Sequence, residues 1–238
     1  MIKSQKLSKF KKIKHGFFNR NNGYSKGIYK SLNCGPGSKD KKNNIEKNLK
    51  IVKEKIGKNS KKIFLLHQIH SNNFIYINEN FKFREKKIKA DAIITNQKNI
   101  PIAVLTADCV PLLMYDNKKN AIAAVHAGWK GAFKGIIKKV INFMVKLGSK
   151  KSNITVAIGP CISQKNYEVK EDFKKKFLKK DKKNKIFFKK IKNSIYFNLP
   201  NYVKYQLKYN KIKSVDLLNV DTFVSILSRL AYHLVYIL

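Results

Sequence analysis

Residues 92–125 read AIITNQKNIPIAVLTADCVPLLMYDNKKNAIAAV. Within them Ala92–Thr95, Ile102–Leu105, Leu112–Tyr115 and Ala121–Val125 are short apolar or β-branched runs separated by turn-forming residues, and each predicts a strand. Strands that follow one another without intervening helices argue against a pure doubly wound sheet and for an α+β sandwich. Working outward, Ile63–Leu66 and Phe74–Ile77 extend the series towards the N-terminus. Before them Ile45, Leu49, Val52 and Ile56 form one helical stripe, with Asp40 placed to cap it and Gly57 to end it. His15–Phe18 predicts a short strand, followed by a polar, glycine-punctuated loop from Asn19 to Asp40, long enough to suggest a functional role. Towards the C-terminus, Ile136, Val140, Phe143, Met144 and Leu147 give a helix stopped at Gly148. A strand at Ile154–Ile158, a basic helix near Lys170–Lys180, a strand at Ile195–Phe197, a helix from Pro200 and a strand at Ser214–Leu218 complete the body. No repeat or linker marks a boundary, so residues 1–238 read as a single domain.

Hydrophobic residues make up 43% of the chain and aromatics 11%, which is enough for a core and excludes a disordered chain. No run approaches the roughly 18–20 apolar residues of a membrane span. Met1–Lys14 is basic without the apolar centre of a secretory signal, so the expected location is cytoplasmic. Cys34, Cys109 and Cys161 are odd in number and widely spaced, which fits reduced thiols. The net charge of +38 attracts polyanions in principle. It is almost entirely lysine, however, scattered along the chain with only Arg20, Arg84 and Arg229 beside it. The reading is a solvated, compositionally biased surface without a specific nucleic-acid partner.

The chemistry concentrates in Ala107-Asp108-Cys109-Val110-Pro111 and His126-Ala127-Gly128-Trp129-Lys130-Gly131, with His67-Gln68-Ile69-His70-Ser71 as a third segment. Each sits at a strand end, where sheets present functional side chains. Zinc accepts imidazole nitrogen and thiolate sulfur, and its catalytic sites supply three protein ligands and an open position. There the metal lowers the pKa of water from about 15.7 to about 7. Spacing alone leaves Cys109 as either a ligand or a small buried hydrophobe. If their segment is a strand, His67 and His70 point to opposite faces and only one reaches the site. Gly128, Gly131 and Gly135 offer amides to an anion or simply allow a tight turn, and Trp129 stacks on a base or fills the core.

These segments closely resemble the multicopper polyphenol oxidoreductase (laccase-domain) family, whose members are described as purine nucleoside phosphorylases and, in some bacteria, as peptidoglycan editing factors. The resemblance runs from His15 to about Val220, through His15–Phe18, Ser25–Tyr29 with Ser31–Asn33, Gln68–Ser71, Ala90–Thr95, Ala107–Pro111, His126–Gly131, Gly159–Ile162 and Tyr167–Val169. It implies a zinc site of His70, Cys109 and His126 within an α-β-β-α sandwich, helices lying outside two sheets. It also implies phosphorolysis of adenosine, inosine and methylthioadenosine, with adenosine deamination as a side activity. Copper follows from the older family label, but one His–Cys–His set does not supply the several centres of a multicopper oxidase. Asp91 or Asp108 is the candidate for proton handling at the purine, and Arg20 with Ser25 for phosphate. The chain departs from the family at Asn22, where a glycine is expected, and at Lys130, where arginine is usual. From about Asp221 it runs into a tail, Val224–Leu238, without the family's arginine-bearing close. Two other readings remain, a peptidoglycan-precursor editing hydrolase and a catalytically impaired basic binding protein.

Overall fold

Helix α1 (Gln5–Ser8), capped by the Ser4 hydroxyl, leads into strand β1 (His15–Phe17) and, beyond the long loop, helix α2 (Lys42–Ile56). Strands β2 (Phe74–Ile77), β3 (Ala92–Thr95), β4 (Ile102–Thr106), β5 (Val110–Asp116) and β6 (Ala121–Ala127) follow. The second half comprises α3 (Trp129–Phe133), α4 (Ile136–Lys146), β7 (Ile154–Ile158), β8 (Glu168–Val169), α5 (Glu171–Lys180), β9 (Phe188–Ile191), β10 (Ser194–Phe197), α6 (Leu199–Tyr209), β11 (Ser214–Leu217) and β12 (His233–Ile237). This computed structural model describes residues 1–57, 62–82, 88–223 and 233–237.

The largest sheet has six strands in the order β11-β7-β5-β6-β3-β2, with parallel pairs only at its two edges. A second sheet, β1-β12-β4, is antiparallel throughout. One face of the large sheet, through Leu112, Met114, Ala123 and Val156, packs on Ile137, Val140 and Ile141 of α4 and Val203 and Leu207 of α6. The opposite face, through Ile93, Leu113, Tyr115 and Ala124, meets Phe17, Ile102 and Val104 of the second sheet. Val52 and Ile56 of α2 then cover Ala103 on the far side of that sheet. The layers therefore run α-β-β-α. Every residue of β5 and β6 is buried, because helices cover one face and a sheet the other. That is why their sequences, apart from Asp116 and His126, are apolar on both faces and do not alternate.

A third, small antiparallel sheet, β8-β10-β9, closes over an aromatic extension of the core. There Phe173, Phe177, Phe197 and Tyr202 meet at ring-centroid distances of 4.7–5.7 Å. Helix α5 carries Glu171 and Asp172 in its first turn and Lys179 and Lys180 in its last, the order the helix dipole favours.

Three sequence expectations change. Ile63–Leu66 forms no strand: Phe64 makes a single isolated bridge to Ile102, and the next bridge, His67 to Lys89, already belongs to a different partner segment. Asp40 does not cap α2; the cap position is Lys41, and the Asp40 carboxylate instead takes the Asn33 amide at 2.9 Å and the Lys41 amide at 2.7 Å. The tail contains a strand that was not expected from the sequence. His233–Ile237 lies between β1 and β4 as the central strand of the second sheet, while the rest of Val224–Leu238 falls outside the described residues. Among the described residues no helix is long and apolar enough to cross a membrane.

Candidate metal centre

The β5–β6 ladder pairs Pro111 with His126 and Val110 with Ala127. Cys109, one residue before β5, therefore arrives beside the end of β6. His70 comes from the opposite direction. The side chain of Gln68 imitates a strand neighbour of β4, donating to the Leu105 carbonyl at 2.7 Å and accepting from its amide at 2.8 Å. His70 then turns with φ of 56°, in the left-handed region. The segment is thus no extended strand, and the alternation argument for His67 and His70 does not apply: His67 is exposed and bridges Lys89, while His70 enters the site. Its Nε2 lies 3.8 Å from Cys109 Sγ, and its ring stands nearly perpendicular to that of His126 at 4.7 Å. The donor atoms of His70, Cys109 and His126 all fall within 4.8 Å of one another. A Cβ on Gly128 would lie 2.8 Å from Cys109 Sγ and 3.0 Å from the His70 ring, so the glycine makes room for the cluster.

Asp91 stands behind this group, fully buried at the entrance to β3. Its Oδ1 accepts from His126 Nδ1 at 2.8 Å and from the His70 amide at 3.0 Å. Its Oδ2 accepts from the amide and hydroxyl of Ser71, both at 2.6 Å, and from the Ile69 amide at 3.4 Å. Burial pushes the Asp91 carboxyl upward, but the bonds from His126 and Ser71 outweigh it and hold the group well below the usual carboxylate range. An ionised Asp91 fixes the proton of His126 on Nδ1 and leaves Nε2 free to bind a metal. One carboxylate therefore sets the orientation of one imidazole and the backbone of the other. Asp91→Asn places a donor where the carboxylate now accepts, and is expected to weaken metal affinity by about 10–100-fold, measured by chelator competition. Unchanged affinity would remove Asp91 from this role.

The other sequence candidates separate. Asp91 is fully buried, with both carboxylate oxygens hydrogen-bonded behind His126. Asp108 is half-buried beside Cys109, with φ of 76° and Oδ1 bonded to the Thr222 hydroxyl at 2.7 Å. Ser25, read as a phosphate ligand, is buried at 3% exposure and accepts from Asn48 Nδ2 at 2.9 Å. Asn48, fully buried on α2, also donates to the carbonyls of Ser31 and Asn33 and accepts from the Tyr24 amide, pinning the long loop. Arg20 Nε donates to Lys30 O within the same loop. Trp129 packs edge-on to Phe173 at 4.9 Å with Lys130 and Lys176 over its ring, as part of the aromatic core. Gly131 is required by packing, since a Cβ there would lie 2.8 Å from the Ser71 carbonyl. Sequence reasoning missed Gln68, Asn48 and Thr222, whose polar side chains act on distant backbone or carboxylate atoms and leave no periodic signal.

Residues 14–226 match the family described as multi-copper polyphenol oxidoreductase laccase. The chain belongs to that family. A relative from Rickettsia conorii, named a purine nucleoside phosphorylase, is 35% identical over 221 residues, covering 89% of this chain and 90% of its own. One from Bacteroides thetaiotaomicron with the same name is 32% identical over 186 residues, covering 75% and 69%. Among solved structures, a Neisseria meningitidis protein superposes with a TM-score of 0.84 at 26% identity, over 95% of this chain and 94% of that one. The YfiH protein of Bacillus licheniformis shares the fold, with a TM-score of 0.86 at 24% identity, covering 94% and 92%. In this laccase-family chain His70, Cys109 and His126 form a group that could hold a metal ion. Tetrahedral bonds of about 2.0 Å to nitrogen and 2.3 Å to sulfur place such donors about 3.5 Å apart, close to the His70–Cys109 separation of 3.8 Å.

Proposed function

We propose that the chain is a zinc-dependent purine nucleoside phosphorylase, acting on adenosine, inosine and methylthioadenosine, with adenosine deamination as a side activity. The observation that carries this reading is the cluster of His70, Cys109 and His126 buttressed by Asp91, in a chain whose relatives are named for that reaction. Two imidazoles and a thiolate suit zinc, and one such group among the described residues supports a single ion better than the several centres of a copper oxidase. When bound there, zinc supplies Lewis-acid polarisation at its open coordination position.

The residues around it divide the remaining work. Phosphorolysis breaks the bond from the sugar's anomeric carbon to the purine nitrogen and forms one to a phosphate oxygen, and the base leaves with a proton. Asp108, at the half-buried rim with Tyr167 in electrostatic reach, is the proton-handling group that hydrogen-bonds the departing purine. Asp91 positions, and does not touch substrate. Arg20 contributes positive charge for phosphate from the loop pinned by Asn48.

Adenine release from adenosine is expected to require added phosphate and to yield ribose 1-phosphate. Deamination consumes water instead and is expected to proceed without phosphate. Undiminished base release in phosphate-free buffer, with free ribose as product, would leave a nucleoside hydrolase. Absence of any nucleoside turnover by the zinc-loaded protein would favour the impaired binding protein.

A further inference from the structure

We infer that Thr222 is a positioning residue that fixes the Asp108 carboxylate at the rim of the metal centre, through a turn that Asp221 locks in place. The inference rests on Asp108 as the proton-handling group of the proposed reaction.

Asp108 needs an external restraint. Its backbone is left-handed, φ 76°, a conformation that aspartate adopts as a single residue when its side chain is hydrogen-bonded. Its carbonyl accepts from the Ile162 amide at 2.9 Å, which holds the main chain but not the side chain. The side chain is held from far along the sequence, by the Thr222 hydroxyl donating to Oδ1 at 2.7 Å. This bond engages one oxygen of the carboxylate, and among the described residues no hydrogen bond is made to the other. Anchoring one oxygen of a carboxylate selects its rotamer without consuming its second acceptor.

The anchor is itself rigid. Thr222 is 3% exposed, its amide donates to the Cys161 carbonyl at 3.1 Å, and the Cys161 amide donates to Val220 O at 3.2 Å. Asp221 accepts from the amides of Ser163 and Phe223 at 3.2 and 3.0 Å, from the Ser163 hydroxyl at 2.5 Å and from Asn166 Nδ2 at 2.6 Å. These bonds tie residues 220–223 to the loop that follows β7, the same loop whose Ile162 holds the Asp108 carbonyl. Threonine is β-branched and stiff at χ1, so the fixed turn is transmitted to the hydroxyl direction. Metal ligands and Asp108 thus share one scaffold, and the turn that opens the tail completes it.

Thr222→Val removes the hydroxyl at nearly constant volume. Phosphorolysis kcat is expected to fall about tenfold, as for loss of one hydrogen bond to a charged group, with KM within about twofold and zinc content unchanged. Thr222→Ser should restore kcat, and Thr222→Val should cause no further loss in an Asp108→Asn background. A crystal structure of the Thr222→Val variant should show the Asp108 carboxylate in another rotamer. An unmoved carboxylate, or an equal kcat loss in the Asp108→Asn background, overturns the inference. If Asp108→Asn alone kept full kcat, the proton-handling role would fall, and the crystal structure would still decide whether Thr222 fixes the carboxylate.

Discussion

Cys109→Ser is expected to empty the metal centre. Serine has nearly the shape of cysteine but presents a neutral hydroxyl at any working pH, whereas zinc binds the thiolate. In the metal-free protein burial raises the Cys109 thiol, but the neighbouring His126 and His70 outweigh it and bring its pKa down to about 7. A thiolate is therefore accessible near neutrality before any metal arrives. Loss of a direct ligand should exceed the effect of disturbing an orienting group, so affinity should drop by more than about 100-fold. Elemental analysis after dialysis should find almost no zinc, and phosphate-dependent base release should vanish, with the fold intact by circular dichroism. Full zinc occupancy in the variant would show the ligand set to be wrong.

Gly159→Ala is expected to be strongly destabilising. Gly159 follows β7 and donates its amide to Pro111 O at 2.9 Å. A Cβ there would overlap the Phe17 ring and stand 2.9 Å from Pro111 Cγ. Phe17 is 2% exposed in β1, so this is where the second sheet presses directly on the first. The ring has no solvent to retreat into, and relief requires the two sheets to separate. Overpacking of this kind costs about 3 kcal/mol, or roughly 6–12 °C in Tm for a domain of this size. Calorimetry measures it, and a Phe17→Leu second substitution should recover part of the loss. An unchanged Tm would mean the sheets are more loosely apposed than the contact indicates.

The strands of residues 92–125 were legible because burial on both faces leaves a continuous apolar run, and that run needs no knowledge of partners. The same logic found the helical stripes of α2 and α4. It failed at Ile63–Leu66, which is as apolar as a strand but makes only the isolated bridge of Phe64 to Ile102 among the described residues, so composition was right and pairing was not. It also failed at His233–Ile237, where the Leu-Val-Tyr-Ile run was overlooked beside the missing family motif.

For the site, the sequence supplied three segments carrying imidazole and thiol side chains, with Cys109 open between ligand and buried hydrophobe, and the resemblance to the family implied the set His70, Cys109 and His126. The resemblance named His70; the physical reason it and not His67 faces the site is the left-handed turn at His70 and the Gln68 clamp, neither of which has a periodic signature. Separating Asp91 from Asp108 required burial and hydrogen-bond direction: one carboxylate is saturated by five donors behind His126, the other is half-buried and held through Oδ1 by Thr222. Side-chain chemistry is a local property and can be read along the chain. Which oxygen, ring nitrogen or hydroxyl remains available is set by neighbours that only the packing of two sheets brings together.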